Sequence, residues 1–573
     1  MKNTTKTTDS ILKPFPRKFV EESFTINGWE DIEPYFKKLN EAQINSAEEM
    51  ELWLTQWSEL QAVVDEHCTR RYIEMTCHTD DEDKKNAYLE CVRDIEPKQT
   101  EWSDRLNRKY VSSPAREAID QDGYGRLDRM IKESVELFDE KNIPLQVTLQ
   151  ELSQKYQETM GAMTVLFEGE ERTMPQMSLY LREQDRPKRQ IAFNAMVERR
   201  LKEKEKLEGL FDEMLTHRVE WAKNLGLADY REYCFRSKLR DYTAEDCKVF
   251  HDAIEKAVVP LAKKIMERRR EEMGIDAVNP WDTACDTKGR PSLKPFKKPE
   301  ELYNGVNEIF SSVDPRLGDM FGAIGFSMDL ESRKGKAPGG YQATLSEARV
   351  PFIFTNAVGT QDDVNTLLHE GGHAFHALQC RGNDLIWYRH AAMEFSEVAS
   401  MSMELIGGQK LQPFYQNDDD IARAKRERME SIVSLFPWVA QVDAFQHWIY
   451  TNPEHSRDER KKEWLNLSDR FSTGVDWSKA PDEALDYSWH RQLHIFEVPF
   501  YYVEYAIAQL GALQIYRNYK TDPDNAMAGY LSALSLGGSH GAKKLFEAAG
   551  IKFDFSAPLL SSLMGLVEQE LES

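Results

Sequence analysis

Asp362-Asp363-Val364-Asn-Thr-Leu367-Leu368-His369-Glu370-Gly371-Gly372-His373-Ala374-Phe375-His376-Ala-Leu378 is the stretch from which the rest of the chain is read. Val364, Leu367, Leu368, Ala374, Phe375 and Leu378 recur at three- and four-residue spacing, which predicts a helix with one buried face. Within it runs H-E-x-x-H. Two imidazoles four residues apart on a helix lie one turn apart on the same side. Both can therefore reach a single zinc ion at roughly 2.0–2.1 Å. Glu370 is placed between them to take a proton from a zinc-activated water. Asp362 and Asp363 are the expected caps, since acids suit the positive end of a helix. Two glycines inside a helix cost about 1 kcal/mol each relative to alanine. Their expected use is the close approach of another backbone or of a substrate, thinning the helix where a peptide passes.

A catalytic zinc site takes three protein ligands and leaves a fourth position for water. A metzincin would place a histidine six residues after His373, where this chain has Gln379. The next segment, Ala391–Glu404, reads as a helix carrying Glu394, Glu397 and Glu404 broadly on one side. Spacing narrows the third ligand to Glu394 or Glu397 without choosing, with His390 as an outside candidate.

A second dense signal runs from Trp489 through His490, His494, Pro499, Tyr501 and Tyr502 to Tyr505. Pro499 suits the first turn of a helix. From there Tyr501 and Tyr505 are one turn apart, with Tyr502 three residues before Tyr505. Peptide hydrolysis passes through a tetrahedral oxyanion that needs hydrogen-bond donors. A histidine with one or two tyrosines can supply them; an aromatic stripe in a helical core is the structural alternative. His490 is expected at the surface.

Elsewhere the chain reads as mostly helical. Ser46–Cys77, Gln190–Leu225 and Ala244–Glu272 mix apolar spacing with dense charge. Glu331–Gly340 is a loop by its glycine and proline content. Val350–Asn356 reads as a short strand, and Pro351 points to a strand start or an edge. Such an edge could pair with an extended substrate backbone.

The 573 residues include 74 basic and 97 acidic side chains, a net charge of −23. That surface repels phosphate backbones and anionic lipid, so neither nucleic acid nor membrane is an expected partner. No apolar run approaches the roughly 20 residues of a membrane span, and the first 25 residues hold none of signal-peptide length. Seven cysteines without a C-x-x-C pair suit reduced thiols, and a cytoplasmic location is expected.

Together these motifs resemble the thimet oligopeptidase and oligoendopeptidase F family of zinc peptidases, most nearly its Pz-peptidase-type bacterial members. The resemblance runs over roughly residues 180 to 570 and implies a division into an N-terminal helical region, 1–180, and a catalytic region, 181–573. It implies a mainly α fold: a two-part helical body enclosing a deep substrate channel, with a small β-element near the zinc. That family follows its H-E-x-G-H helix with a later glutamate and a small-residue run. Here the match is Phe395-Ser-Glu397-Val-Ala-Ser400, twenty-four residues after His373. The resemblance thus assigns one Zn2+ per chain to His369, His373 and Glu397, with Glu394 and Glu404 as supporting residues. It assigns Glu370 as base, and His494, Tyr501 and Tyr505 as transition-state donors, with Tyr502 as the alternate to Tyr501. The implied substrate is a short unstructured peptide cut at an internal bond. Carboxypeptidase action in the same family, or an inactive peptide-binding protein, are the alternatives.

Overall fold

The computed structural model describes residues 11–572. The fold is mainly α, with five short strands among the described residues. It divides into two compact units. Neither is continuous in sequence, so they cut the chain differently from a boundary at residue 180.

The first unit draws on the described part of Met1–Glu136, on Leu293–Lys425 and on Ala508–Phe553. Its longest helix, Ala47–Cys77, starts where Ser46 accepts a hydrogen bond from the Glu49 N–H, the usual satisfaction of an orphan helix donor. One apolar cluster joins that helix to its neighbours through Phe36, Trp53, Trp57, Trp102, Leu106 and Tyr388. A three-stranded sheet places Val350–Ala357 in the centre, parallel to Met328–Glu331 and antiparallel to Tyr341–Leu345. Pro351 sits second in the strand and opposite Thr344. The strand start is as expected; the edge is not, because Val350–Ala357 pairs on both sides. The edge strand near the motif is Tyr341–Leu345.

Two helices of this unit carry the motif residues. Gln361–Cys380 is the motif helix and Met393–Gly407 the glutamate helix. All six apolar positions expected to be buried in the motif helix are buried. Phe375 packs edge-on to Phe310, with ring centroids 4.7 Å apart.

The second unit draws on Leu137–Ser292, Arg426–Ile507 and Asp554–Ser573. Aromatic rings fill its centre: Trp489 stacks on Phe496 at 5.4 Å, and Phe496 on Tyr156 at 4.2 Å. Two of the long helical readings break in the middle. Gln190–Leu225 becomes Arg186–Leu201 and Lys204–Asn224, and Ala244–Glu272 becomes Ala244–Ala257 and Val259–Met273. Pro260 at the second break lacks the N–H that a continuing helix would need.

Candidate active site

The motif helix begins with a capping box. The Thr360 hydroxyl accepts from the Asp363 N–H, while Asp363 accepts from the Thr360 N–H at 2.8 Å. The cap is therefore Thr360, with Asp363 as its partner, in place of the expected Asp362. Two and a half turns after the cap His369 and His373 project together, with Nε2 atoms 3.2 Å apart. Glu397 Oε2 lies 3.4 Å from His369 Nε2 and 3.8 Å from His373 Nε2. Donors held at roughly 2.0–2.1 Å from one zinc sit about 3.3 Å from each other in a tetrahedron, so this spacing fits the ion. Glu394 and His390 do not join the group.

Hydrogen bonding sets the chemistry of the candidate ligands. Glu404 Oε1 lies 2.8 Å from His369 Nδ1. An ionised carboxylate only accepts, so the proton sits on Nδ1 and the Nε2 lone pair is left for a metal. Ser400 Oγ donates to Glu397 Oε2 at 3.1 Å and orients it. Burial disfavours a charged His369, yet its hydrogen bond to Glu404 and the charges of Glu404, Glu397 and Glu370 raise it to about 9. The pocket thus favours a positive charge at that position. His373 is driven well below its usual value, first by burial and then by His369 and His376, which leaves it neutral and able to ligate. Burial lifts Glu370 to about 7, with Glu397 and Glu404 adding to the rise; the charge of His369 opposes it, and so, more weakly, does the Gln342 backbone N–H on the edge strand.

Of the two expected uses of the glycines, the close approach of another backbone is the one seen at Gly372. A Cβ on Gly372 would lie 2.5 Å from Ser400 Cα and 2.6 Å from Ala399 O. A Cβ on Gly371 would lie 2.6 Å from Phe310 Cζ. What passes close to Gly372 is the backbone of the glutamate helix, not a peptide. The glycine lets the helix that bears Glu397 touch the helix that bears the two histidines.

In the second unit His494 is ringed by three tyrosines. Its ring centroid lies 5.7 Å from Tyr501, 4.8 Å from Tyr502 and 5.9 Å from Tyr505. The backbone differs from expectation: the helix starts at Val503, after Pro499 and Tyr501. Phe500, fully buried, takes a left-handed φ of 61° and donates its N–H to Gln446 Oε1 at 2.9 Å. The next helix is anchored by buried Glu504, which accepts from Arg240 at 2.6 Å and from Tyr242 at 2.9 Å. His490 is buried rather than exposed, with Nε2 2.8 Å from Glu208 Oε1. Two residues that motif spacing gave no reason to single out also belong here. Trp438 Nε1 donates to Gln492 Oε1 at 2.9 Å, and Gln492 Nε2 meets His494 Nδ1 at 2.7 Å.

Cys247, Asp443 and His447 form a second buried group with donor atoms within 4.8 Å of one another. Arg231, which can only donate, faces His447 Nδ1 at 3.5 Å. His251 Nε2 lies 2.8 Å from Asp443 Oδ2, and His447 Nε2 lies 3.3 Å from the same oxygen. One carboxylate thus faces two imidazoles.

The sequence pattern of Peptidase family M3 matches residues 179–565, and that of the Peptidase M3 N-terminal domain matches residues 19–138. Group B oligopeptidase PepB of Streptococcus agalactiae is 23% identical over 328 residues, 55% of this chain and 52% of PepB. The chromosomal oligoendopeptidase F of Lactococcus lactis subsp. cremoris is 24% identical over 265 residues, 43% of this chain and 40% of that protein. The chain thus spans about half the length of these relatives. The solved structure of PZ peptidase A with an inhibitor superposes with a TM-score of 0.86 at 26% identity, covering 97% of this chain and 99% of that one. No helix among the described residues is long and apolar enough to cross a membrane.

Proposed function

The chain belongs to peptidase family M3, and on that premise we propose that it is a zinc-dependent oligopeptidase that hydrolyses internal bonds of short, unstructured peptides. The observation that carries this is the meeting of two imidazole Nε2 atoms and the Glu397 carboxylate beside the buried carboxyl of Glu370.

His369, His373 and Glu397 are the proposed ligands, and zinc held there supplies Lewis acidity toward a water molecule and the scissile carbonyl. Glu370 takes the proton from that water and returns it to the leaving amine. A carboxyl lifted toward neutrality by burial can both accept and release a proton near pH 7. Glu404 keeps His369 in the ligating tautomer. His494, with Tyr501 and Tyr505, donates to the oxyanion; Tyr502 is the alternate to Tyr501. The edge strand Tyr341–Leu345 offers main-chain groups to an extended peptide.

Glu370→Gln tests the assignment. Zinc content should stay at one per chain while turnover of a quenched peptide falls by roughly 10²–10⁴, the usual share of a general base. Near-wild-type turnover in the zinc-loaded variant would sink the mechanism.

A further inference from the structure

We infer that Trp438 and Gln492 are positioning residues that hold His494 as the neutral imidazole with its proton on Nε2, so that it presents a donor to the oxyanion. The inference rests on the role proposed for His494, but the tautomer can be measured independently of that role.

The argument starts at the indole. A tryptophan N–H can only donate. The Gln492 atom 2.9 Å from it is therefore the carbonyl Oε1. Turning the amide over would set two donors against each other. With Oε1 committed to Trp438, the amide NH₂ is the group 2.7 Å from His494 Nδ1. An amide NH₂ also only donates, so Nδ1 accepts and the ring proton is on Nε2. The chain of hydrogen bonds ends in a free donor.

The clamp is well supported. Trp438 packs edge-on to buried Trp464 at 5.7 Å, and the Arg491 guanidinium lies 4.8 Å over its ring. The titratable groups whose rings face His494 are Tyr501, Tyr502 and Tyr505, and burial pushes the Tyr502 phenol above its usual value. Burial lowers the proton affinity of the ring, so at neutral pH the imidazole is uncharged and its tautomer decides whether it can donate. Had the proton been on Nδ1, Nε2 would carry a lone pair and could not donate.

Gln492→Glu tests this. A carboxylate at that position accepts from both Trp438 Nε1–H and His494 Nδ1–H, so the neutral ring moves its proton to Nδ1. The readout is the 15N spectrum of ring-labelled histidine, with the His494 signals assigned by their loss in His494→Gln. Wild type should show an unprotonated Nδ1 and a protonated Nε2. Gln492→Glu should show the reverse at high pH and a doubly protonated ring at low pH. Its kcat should approach wild type where the ring is doubly protonated and fall by about 10²–10³, the usual cost of one oxyanion donor, as pH rises through that titration. KM and zinc content should not move. Trp438→Phe, which frees the amide to turn over, should give mixed tautomer signals and a smaller loss in kcat. A wild-type ring protonated on Nδ1, or an unchanged tautomer in Gln492→Glu, overturns the inference. A switched tautomer with unchanged kcat at high pH leaves the clamp standing and removes His494 from the oxyanion role.

Discussion

Gly372→Ala is the most direct probe of how the ligand set is spaced. The added Cβ would lie 2.5 Å from Ser400 Cα and 2.6 Å from Ala399 O. Carbon atoms in ordinary contact stand about 3.5–4.0 Å apart, so the two helices must separate by about 1 Å. Both clashing atoms are main chain and cannot rotate away. The cost belongs at the upper end of overpacking, about 3 kcal/mol. Alanine recovers about 1 kcal/mol of helix propensity, leaving a net loss of about 2 kcal/mol. Glu397 lies one turn before Ser400, so the push also carries its carboxylate away from His369 and His373. Metal affinity should fall at least 10-fold, the scale seen when ligand support is disturbed. Competition with a chelator reads the affinity, and denaturant unfolding of the metal-free protein reads the stability. Gly371→Ala is the internal comparison: it meets the end of the Phe310 ring at 2.6 Å and should disturb packing more than ligation. Wild-type metal affinity in Gly372→Ala would refute the reasoning.

Other outcomes follow from the same coordinates. Glu404→Gln removes the charge that pins the His369 Nδ1 proton and should weaken metal binding by about 10–100-fold, measured by the same competition. His376 is buried with an unpartnered Nε2, and burial, with a contribution from His390, lowers it to about 3. Its unfolded value is about 6.5, so the unfolded chain binds the proton first and stability is lost as pH falls from about 6.5 toward 3. His376→Leu should hold or raise stability at pH 7 and lose less between pH 7 and 4.5 in urea unfolding; an unchanged acid loss would count against it. Glu504→Ala removes the carboxylate that pairs with buried Arg240 and should cost about 3–5 kcal/mol, read as a lower denaturant midpoint at unchanged slope.

The parts legible in sequence were those whose geometry is local. H-E-x-x-H needs only the helical period, and the six apolar positions of the motif helix needed nothing more. Glu397 required the family resemblance, because helical spacing leaves Glu394 and Glu397 equivalent until the neighbouring helix is placed. The cap moved to Thr360 because Thr360 and Asp363 satisfy each other's N–H, a reciprocity that counting acids does not reveal. Val350–Ala357 became central because partners arrive from both Met328–Glu331 and Tyr341–Leu345, and strand pairing is not written in one strand. His490 is buried because its partner Glu208 lies on a helix 282 residues away in sequence, which the local sequence does not show. Trp438 and Gln492 were illegible for the same reason: a donor-only indole matters to an imidazole only once a glutamine side chain lies between them.

Phe500 carries one more consequence. On an α-helix, consecutive side chains diverge by about 100°, so Tyr501 and Tyr502 could not both flank one imidazole. The left-handed turn at Phe500 delays the helix to Val503, and two adjacent residues then share a single target with Tyr505. A left-handed torsion costs a non-glycine residue about 1–2 kcal/mol. Burial of the Phe500 ring and the hydrogen bond to Gln446 are what hold it. Convergence of three phenols on one ring is thus obtained from neighbours in sequence, by an irregularity in the chain rather than by the meeting of distant segments.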